Sequence, residues 1–230
     1  MVPHRPSRDR AAPARADVPL GLALRDPTFR WLVVAFCLSN GVAFGVHVHP
    51  VPILLDRGYV PTLAATQSGL VGAMQVLGRL LLGPVAGRLP LKATTIGIFV
   101  VLPVALLVLL LVPGTAGVVL FVALFGAAKG CLTLVRPAFV AELYGRTHYA
   151  SIAGVVAFAA TLAQAAAPVG AGGAYDAVGG YGPILWTLVS VSALAALALL
   201  PTRPEPDGIA WKTGPAGTTT PGGQSPGTAI

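Results

Sequence analysis

Five ionisable side chains lie inside long apolar stretches of the sequence, where charge is costly and is a first sign of function. They are Arg79, Lys129, Arg136, His47 and His49. No Asp or Glu lies inside the same stretches, so these cations have no carboxylate there to neutralise them. A membrane interior that holds cations without carboxylates suits an anionic solute, such as a carboxylate.

Lys129 is the cation that is hardest to explain as a structural residue. It lies about half-way along a predicted helix, so its ammonium group cannot easily reach either membrane surface. Arg136 follows two helical turns later and points to roughly the same side. Arg79 and Arg136 fall nearer the cytoplasmic ends of their helices, where long side chains can reach the interface and act as anchors. We expect Lys129 to line a solute path, and Arg136 to bind solute or to anchor its helix.

His47 and His49 are weaker candidates for a shared site. Two residues apart on a helix, their side chains diverge by about 200°, whereas a helical metal pair needs a spacing of three or four residues. Pro50 and Pro52 follow directly, so the outer end of this helix is predicted to be irregular. His47 could carry a proton. A hydrogen bond to a neighbouring helix is the simpler alternative.

Two glutamines, Gln75 and Gln164, are uncharged polar groups in the middle of predicted spans. Amide side chains there can bind a solute or hydrogen-bond between helices, and the second role is the simpler one. The candidate solute-binding residues are therefore Lys129, Gln75, His47 and Arg136. The sequence assigns no residue to a metal, a cofactor or catalysis.

The elements that carry these residues are predicted to be membrane-spanning helices. The 230 residues are 55% hydrophobic and only 10% charged, which is less than half the charged fraction of a soluble domain. This composition excludes an ordinary cytosolic enzyme, a disordered regulator and a nucleic-acid-binding module. The apolar runs are too long for barrel strands, so the predicted fold class is all-α. We predict six helices near Trp31–Leu54, Leu63–Gly87, Thr94–Val112, Gly117–Phe139, Ala150–Ala174 and Gly182–Leu200.

Lys and Arg residues set the expected orientation of a multi-pass protein. Six Arg precede or open the first helix, and further cations fall in the second-to-third and fourth-to-fifth connections and in the tail. The opposite connections hold Arg57 alone. Both termini are therefore expected in the cytoplasm, with the bundle in the bacterial inner membrane. We interpret residues 1–28 as a basic flexible arm, 29–200 as the six-helix bundle and 201–230 as a disordered tail.

Several stretches resemble the second half of transporters of the major facilitator superfamily. The stretch Asp56-Arg57-Gly58-Tyr59, followed by glycines at 69, 72 and 78, is similar to the seventh-to-ninth helix region. Gly83-Pro-Val-Ala-Gly-Arg-Leu-Pro-Leu-Lys92 is similar to the superfamily's cytoplasmic loop signature, Gly-x-x-x-Asp-Arg-x-Gly-Arg-Arg. Gly83, Arg88 and Lys92 match that signature, whereas Gly87 and Pro90 depart from it.

Other stretches extend the resemblance over about residues 23–200. The stretch from Arg136 to Arg146 is similar to the tenth-to-eleventh helix link, and the stretch from Pro168 to Tyr181 is similar to the eleventh-to-twelfth turn. The resemblance implies secondary active transport of a small organic solute by alternating access. The sequence contains no Gly-x-Ser-Gly motif, no His-Glu-x-x-His motif and no pair of carboxylates within the predicted spans. We therefore expect a protein that is not an enzyme and that needs no cofactor.

Only one six-helix bundle is present where the resemblance implies two. The chain is expected to be either the C-terminal half of a longer protein, which we favour, or a half-size transporter that pairs with another copy or chain. The expected partners are the lipid bilayer, a small-molecule solute and a second six-helix bundle, without nucleic acid. The alternative is a non-transporting or degenerate six-helix subunit that packs against a partner bundle.

Overall fold

The computed structural model describes residues 19–145 and 148–202, which form eight α-helices and no β-strand. The helices are α1 Leu20–Ala23, α2 Pro27–Val48, α3 Pro50–Asp56, α4 Pro61–Ala86, α5 Leu91–Leu111, α6 Gly114–Tyr144, α7 Tyr149–Val178 and α8 Tyr181–Ala198. The predicted all-α fold class is confirmed. The predicted tail, apart from residues 201 and 202, and most of the predicted arm lie outside the described residues.

Five of the described helices are long and apolar enough to cross a membrane: α2, α5, α6, α7 and α8. Helix α4 is long enough, at 26 residues, but it is not one of the five. It carries Gln67, Ser68, Gln75 and Arg79 among its apolar residues. Membrane-spanning helices are thus supported, while a sixth crossing by α4 stays a prediction.

The first predicted helix, Trp31–Leu54, is wrong as a single element. Helix α2 ends at Val48, His49 leaves helical geometry with φ −112° and ψ 34°, and α3 begins at Pro50. Proline has no N–H to donate and its ring clashes with the carbonyl four residues earlier, so two prolines in close succession, Pro50 and Pro52, favour a break at this position. The irregular outer end predicted from Pro50 and Pro52 is confirmed.

Helix α2 also begins earlier than predicted, and α1 lies within the segment interpreted as an arm. Asp26 caps α2: one carboxylate oxygen accepts from the backbone N–H of Thr28 at 2.9 Å. The other oxygen accepts from the hydroxyl of Tyr144 at 3.0 Å, and Asp26 is 8% exposed. Tyr144 lies five residues beyond the predicted end of its helix at Phe139. Asp26 and Tyr144 both lie outside the helix bounds that were predicted from the sequence. Their contact stabilises the beginning of α2 and the end of α6, which both extend beyond those bounds.

Replacement of Asp26 by alanine is expected to destabilise the fold by about 2 kcal/mol, because it removes a helix cap and leaves the buried Tyr144 hydroxyl without its acceptor. Tyr144→Phe removes only the second bond and should cost about half as much. Unfolding of the purified protein in detergent measures both. The exposed Asp176 provides the control, Asp176→Ala, which should leave stability unchanged. Equal stability of Asp26→Ala and the wild type would contradict the assignment.

The long helices pack in the series α4, α6, α5, α8, α2, α7, each against the next. Helices α4 and α7 stand at the two ends of this series, and α7 also touches α6 less extensively. Both end helices expose large apolar side chains, among them Leu80 at 68%, Phe158 at 72% and Val169 at 78%. The described helices therefore leave apolar surface on α4 and α7 that they do not themselves cover.

Two apolar clusters form the core, one in each half of the bundle. We call the end that holds Asp26 and Tyr144 the inner end, and the opposite end the outer end, after the predicted orientation. The cluster of the inner half is built on aromatic side chains that include Phe36 and Phe99, whose rings meet edge to face with centroids 5.2 Å apart. The cluster of the outer half contains Phe125, which stacks on a neighbouring ring.

The Asp56–Tyr59 stretch ties helices together at the outer end. A carboxylate oxygen of Asp56 accepts from the backbone N–H of Tyr181, in the first turn of α8, at 3.0 Å. The guanidinium of Arg57 donates to the carbonyl of Leu110, in the last turn of α5, at 3.0 Å. Both charges suit the helix termini they meet, because a helix N-terminus favours an anion and a C-terminus favours a cation. These contacts give the stretch a structural role.

Candidate functional site

One face of α2 carries three side chains that can contact a solute. Asn40, Phe44 and His47 follow at spacings of four and three residues, which places them on the same side of a helix. All three are half-buried. The Phe44 and His47 rings have centroids 6.4 Å apart and are inclined by 49°. The face thus presents an amide, an aromatic ring and an imidazole along about two turns of helix.

Lys129 meets this face from the middle of α6. Its ammonium lies 5.7 Å from the centroid of the Phe44 ring, within the range in which a cation is attracted to the negative face of an aromatic ring. Lys129 is itself half-buried. This contact joins α6 to α2 at the level predicted for the interior of the membrane.

No carboxylate of the described residues lies near the ammonium of Lys129. The described part of the chain contains four acidic residues, at or near helix ends: Asp26, Asp56, Glu142 and Asp176. Glu142, on the same helix as Lys129, is 13 residues away, or about 20 Å along the axis. Helices α6 and α7 run beyond the predicted spans and include Glu142 and Asp176 in their last turns.

A second polar contact joins α2 to α7. The amide nitrogen of Gln164 donates to the side-chain oxygen of Asn40 at 2.9 Å, and the Asn40 amide nitrogen donates to the carbonyl of Phe36 at 2.8 Å. The two helices are in contact here: a Cβ atom on Gly41 would lie 3.7 Å from the carbonyl oxygen of Ala163, an ordinary van der Waals distance. The helix-linking role expected for Gln164 is present. We call Asn40, Phe44, His47, Lys129 and Gln164 the polar cluster.

Close contact with α4 fixes the position of the α6 backbone around Lys129. Cβ atoms added at Gly126 and Gly130 would overlap α4, in the second case at the backbone carbonyl of Gln75. In return, a Cβ atom on Gly78 would lie 2.6 Å from the Cα atom of Ala127. Glycines four residues apart let membrane helices approach to backbone contact. The contact of Gly130 with Gln75 therefore fixes how α4 and α6 are aligned along their axes, at the residue next to Lys129.

The structure brings together only part of the predicted solute-binding set. Lys129 and His47 both lie close to the Phe44 ring. Gln75 packs its backbone against the residue next to Lys129. Arg136 lies apart, two turns from Lys129 towards the inner end, where it lines a notch of about 280 Å³ between α6 and α7 together with Tyr149.

The two remaining ionisable residues, His49 and Arg79, do not belong to the polar cluster. A ring nitrogen of His49 lies 3.2 Å from the carbonyl oxygen of Gly45, and the His49 ring lies 6.3 Å from that of Tyr181. His49 therefore diverges from His47, as the spacing predicted. Arg79 is exposed on α4.

The residues of the cytoplasmic loop motif have separate surroundings. Lys92 donates through its ammonium to the carbonyls of Leu200, at 3.1 Å, and of Thr202. This contact stabilises the C-terminal end of α8, where free carbonyls favour a cation. Arg88 is exposed in the turn before α5, and Gly83 has nothing within 4 Å of an added Cβ atom.

Asn40 and Phe44 were missed by the sequence analysis. Their spacing to His47 is visible in the sequence, but a lone aromatic residue on an apolar helix is ordinarily a core residue. The pair Gly126 and Gly130 was also missed, because glycine is abundant throughout the chain.

The polar cluster combines one cation, one imidazole, two amides and one aromatic face. Such a set can bind a small anion and can exchange a proton at His47. Among the described residues, no three or more His, Cys, Asp or Glu side chains group so as to hold a metal ion. No protein-family model matches the sequence, and no curated protein matches it.

Proposed function

We propose that this chain carries out secondary active transport of a small organic solute, in the first place an anion, by alternating access. In this proposal it forms one six-helix half of a transporter of the major facilitator superfamily. Helix α4 is then the sixth span, and both termini lie in the cytoplasm of the bacterial inner membrane. The observation that carries the proposal is Lys129, half-buried at the middle of α6 without a described carboxylate nearby.

An uncompensated ammonium at the centre of a membrane helix is costly, and such a group is kept where it serves a function. The Phe44 ring offsets only part of this cost, since a cation–π contact contributes about 1–2 kcal/mol. A bound carboxylate would pair with the ammonium directly and would be held more strongly in this environment. Lys129 is therefore suited to capture an anion and to release it when water enters from the other side.

His47 is the group best placed to couple a proton to this step. Its ring lies beside Phe44 on the same face of α2, and the ammonium of Lys129 lies near the same Phe44 ring. An imidazolium there would add a second positive charge for an anion, and its deprotonation would weaken the hold on the solute. Proton binding at His47 would then favour solute binding.

A second six-helix bundle is the partner that the end positions of α4 and α7 support, since apolar side chains are exposed on the other membrane helices as well. Helices α4 and α7 lie at the ends of the packing series and expose large apolar side chains. A partner bundle seated across both helices would cover these side chains and enclose the polar cluster between the two halves. That bundle is the other half of a longer protein or a second copy of this chain.

The alternative function is that of a non-transporting six-helix subunit that stabilises a partner bundle. The exposed Arg88 and the open surroundings of Gly83 favour it, because the loop motif then contributes only the contact of Lys92 with the end of α8. Such a subunit would keep its partner contacts when Lys129 is changed.

Uptake by membrane vesicles from cells that express the chain tests the proposal. Radiolabelled benzoate, lactate and succinate are the probes, and vesicles from cells without the chain give the background. We expect uptake of at least one of these carboxylates above background, driven by a proton gradient and abolished when the gradient is collapsed. Background uptake of all three, with normal amounts of protein in the membrane, would contradict the proposal and leave the alternative.

A further inference from the structure

We infer that the amide pair of Asn40 and Gln164 recognises an uncharged hydrogen-bonding group on the solute. The inference rests on the proposed function and names the solute class for the same site. That class is a small flat carboxylate that carries a hydroxyl or amide group about 6 Å from its carboxylate.

The hydrogen bonds of the pair leave polar atoms for a ligand. Gln164 donates to Asn40, and Asn40 donates to the carbonyl of Phe36. The side-chain oxygen of Gln164 and one N–H of each amide remain free of partners among the described residues. Both side chains are half-buried, so a solute can reach them. A polar group without a partner in a membrane interior is costly, and a ligand hydroxyl would satisfy it.

The spacing along α2 sets the length of the solute. Asn40 lies four residues before Phe44, which is about 6 Å along the helix axis. The ammonium of Lys129 lies over the Phe44 ring. A carboxylate at Lys129 and a hydroxyl at the amide pair would therefore stand about one helical turn apart.

Phe44 sets the shape of the part between these two groups. Its half-buried ring lies 5.7 Å from the ammonium of Lys129 and 6.4 Å from the imidazole of His47, on the same helical face as Asn40. A flat apolar ligand can stack on such a ring, and offset stacking favours a planar partner over a bulky one. A para-substituted aromatic acid has the required length and shape.

Vesicle uptake of two matched probes, benzoate and 4-hydroxybenzoate, tests the inference. They differ by one hydroxyl at the far end from the carboxylate. We expect the wild type to take up 4-hydroxybenzoate with a KM about tenfold lower, as one satisfied hydrogen bond would give. Gln164→Met, which keeps the length and apolar volume of the side chain, should bring the two KM values within about twofold.

Ser190→Ala is the matched control, because Ser190 is exposed on α8 and its hydroxyl bonds only to its own helix, at Trp186. This variant should keep the preference for the hydroxylated probe. If Gln164→Met does not reach the membrane, Gln164→Asn, which shortens the side chain by one methylene group, takes its place with the same expectation.

Different outcomes contradict the inference and the proposed function on which it rests. Equal KM values for the two probes in the wild type, or a preference that survives in the Gln164 variant, would overturn the inference and leave transport standing. The same holds if lactate or succinate is taken up but neither aromatic probe is. If no carboxylate is taken up at all, the proposed function fails and the inference fails with it.

Discussion

Replacement of Gly130 by leucine is expected to separate α4 from α6 and to destabilise the fold by about 3 kcal/mol, the upper range for overpacking of a well-packed interface. The reason is local. A Cβ atom at this position already overlaps the backbone carbonyl of Gln75, and backbone cannot move aside as a flexible side chain can. The new side chain must therefore displace the whole of α4 over several residues.

Unfolding of the purified protein in detergent, followed by circular dichroism, measures this effect. Gly72→Leu is the matched control on α4, because Gly72 is exposed and has nothing within 4 Å of an added Cβ atom. Gly130→Ala should fall between the control and the leucine variant. A stability of Gly130→Leu equal to that of Gly72→Leu would show that α4 and α6 do not meet as described.

Replacement of Lys129 by glutamine is expected to lower the kcat/KM for carboxylate uptake by about 10- to 100-fold. A hydrogen bond to a charged group contributes about 1.5–3 kcal/mol, and each 1.4 kcal/mol corresponds to a factor of ten. Glutamine keeps a similar length and a polar end but loses the charge. The variant should fold normally, since it no longer holds an uncompensated charge in the membrane.

Lys129→Arg tests whether a positive charge at this position is sufficient or whether the ammonium group itself is required. The guanidinium keeps the charge and can also stack on Phe44, so this variant should retain more uptake than Lys129→Gln. Arg136→Gln is the comparison at the inner end; it should change uptake less, because Arg136 lies about 10 Å along the helix from Lys129. Normal uptake by Lys129→Gln at normal membrane levels would refute the role given to Lys129.

Much of the fold could be predicted from the sequence, because apolar runs and prolines are local signals. The long helices and the irregularity after His47 follow from such signals. The positions of the helix ends could not be predicted from these local signals. Asp26 caps α2 while it also binds Tyr144, more than a hundred residues away, and no local pattern reports a contact of that kind.

Individual residues of the candidate site could be predicted from the sequence, but their contacts with one another could not. The central position of Lys129 and its lack of acidic partners were readable, because both depend on helix boundaries and residue types. Its contact with Phe44 could not be predicted, since it depends on how far the Lys129 side chain of α6 reaches towards α2 in the assembled bundle. The glycines show the same limit: Gly69 and Gly130 look alike in the sequence, but only Gly130 meets a backbone.

The accessibility of position 129 from the two sides of the membrane tests the central claim most directly, and it needs no knowledge of the solute. Lys129→Cys is made in a chain whose Cys37 and Cys131 are replaced by alanine, and right-side-out and inside-out vesicles are treated with a membrane-impermeant sulfonated thiol reagent. Leu194→Cys, at a position 56% exposed on α8 and expected to face lipid, is the control that should remain unlabelled.

Alternating access predicts that the cysteine at position 129 is labelled from both sides, because the site opens to each in turn. Labelling from one side only, or from neither, would contradict a transport path through Lys129.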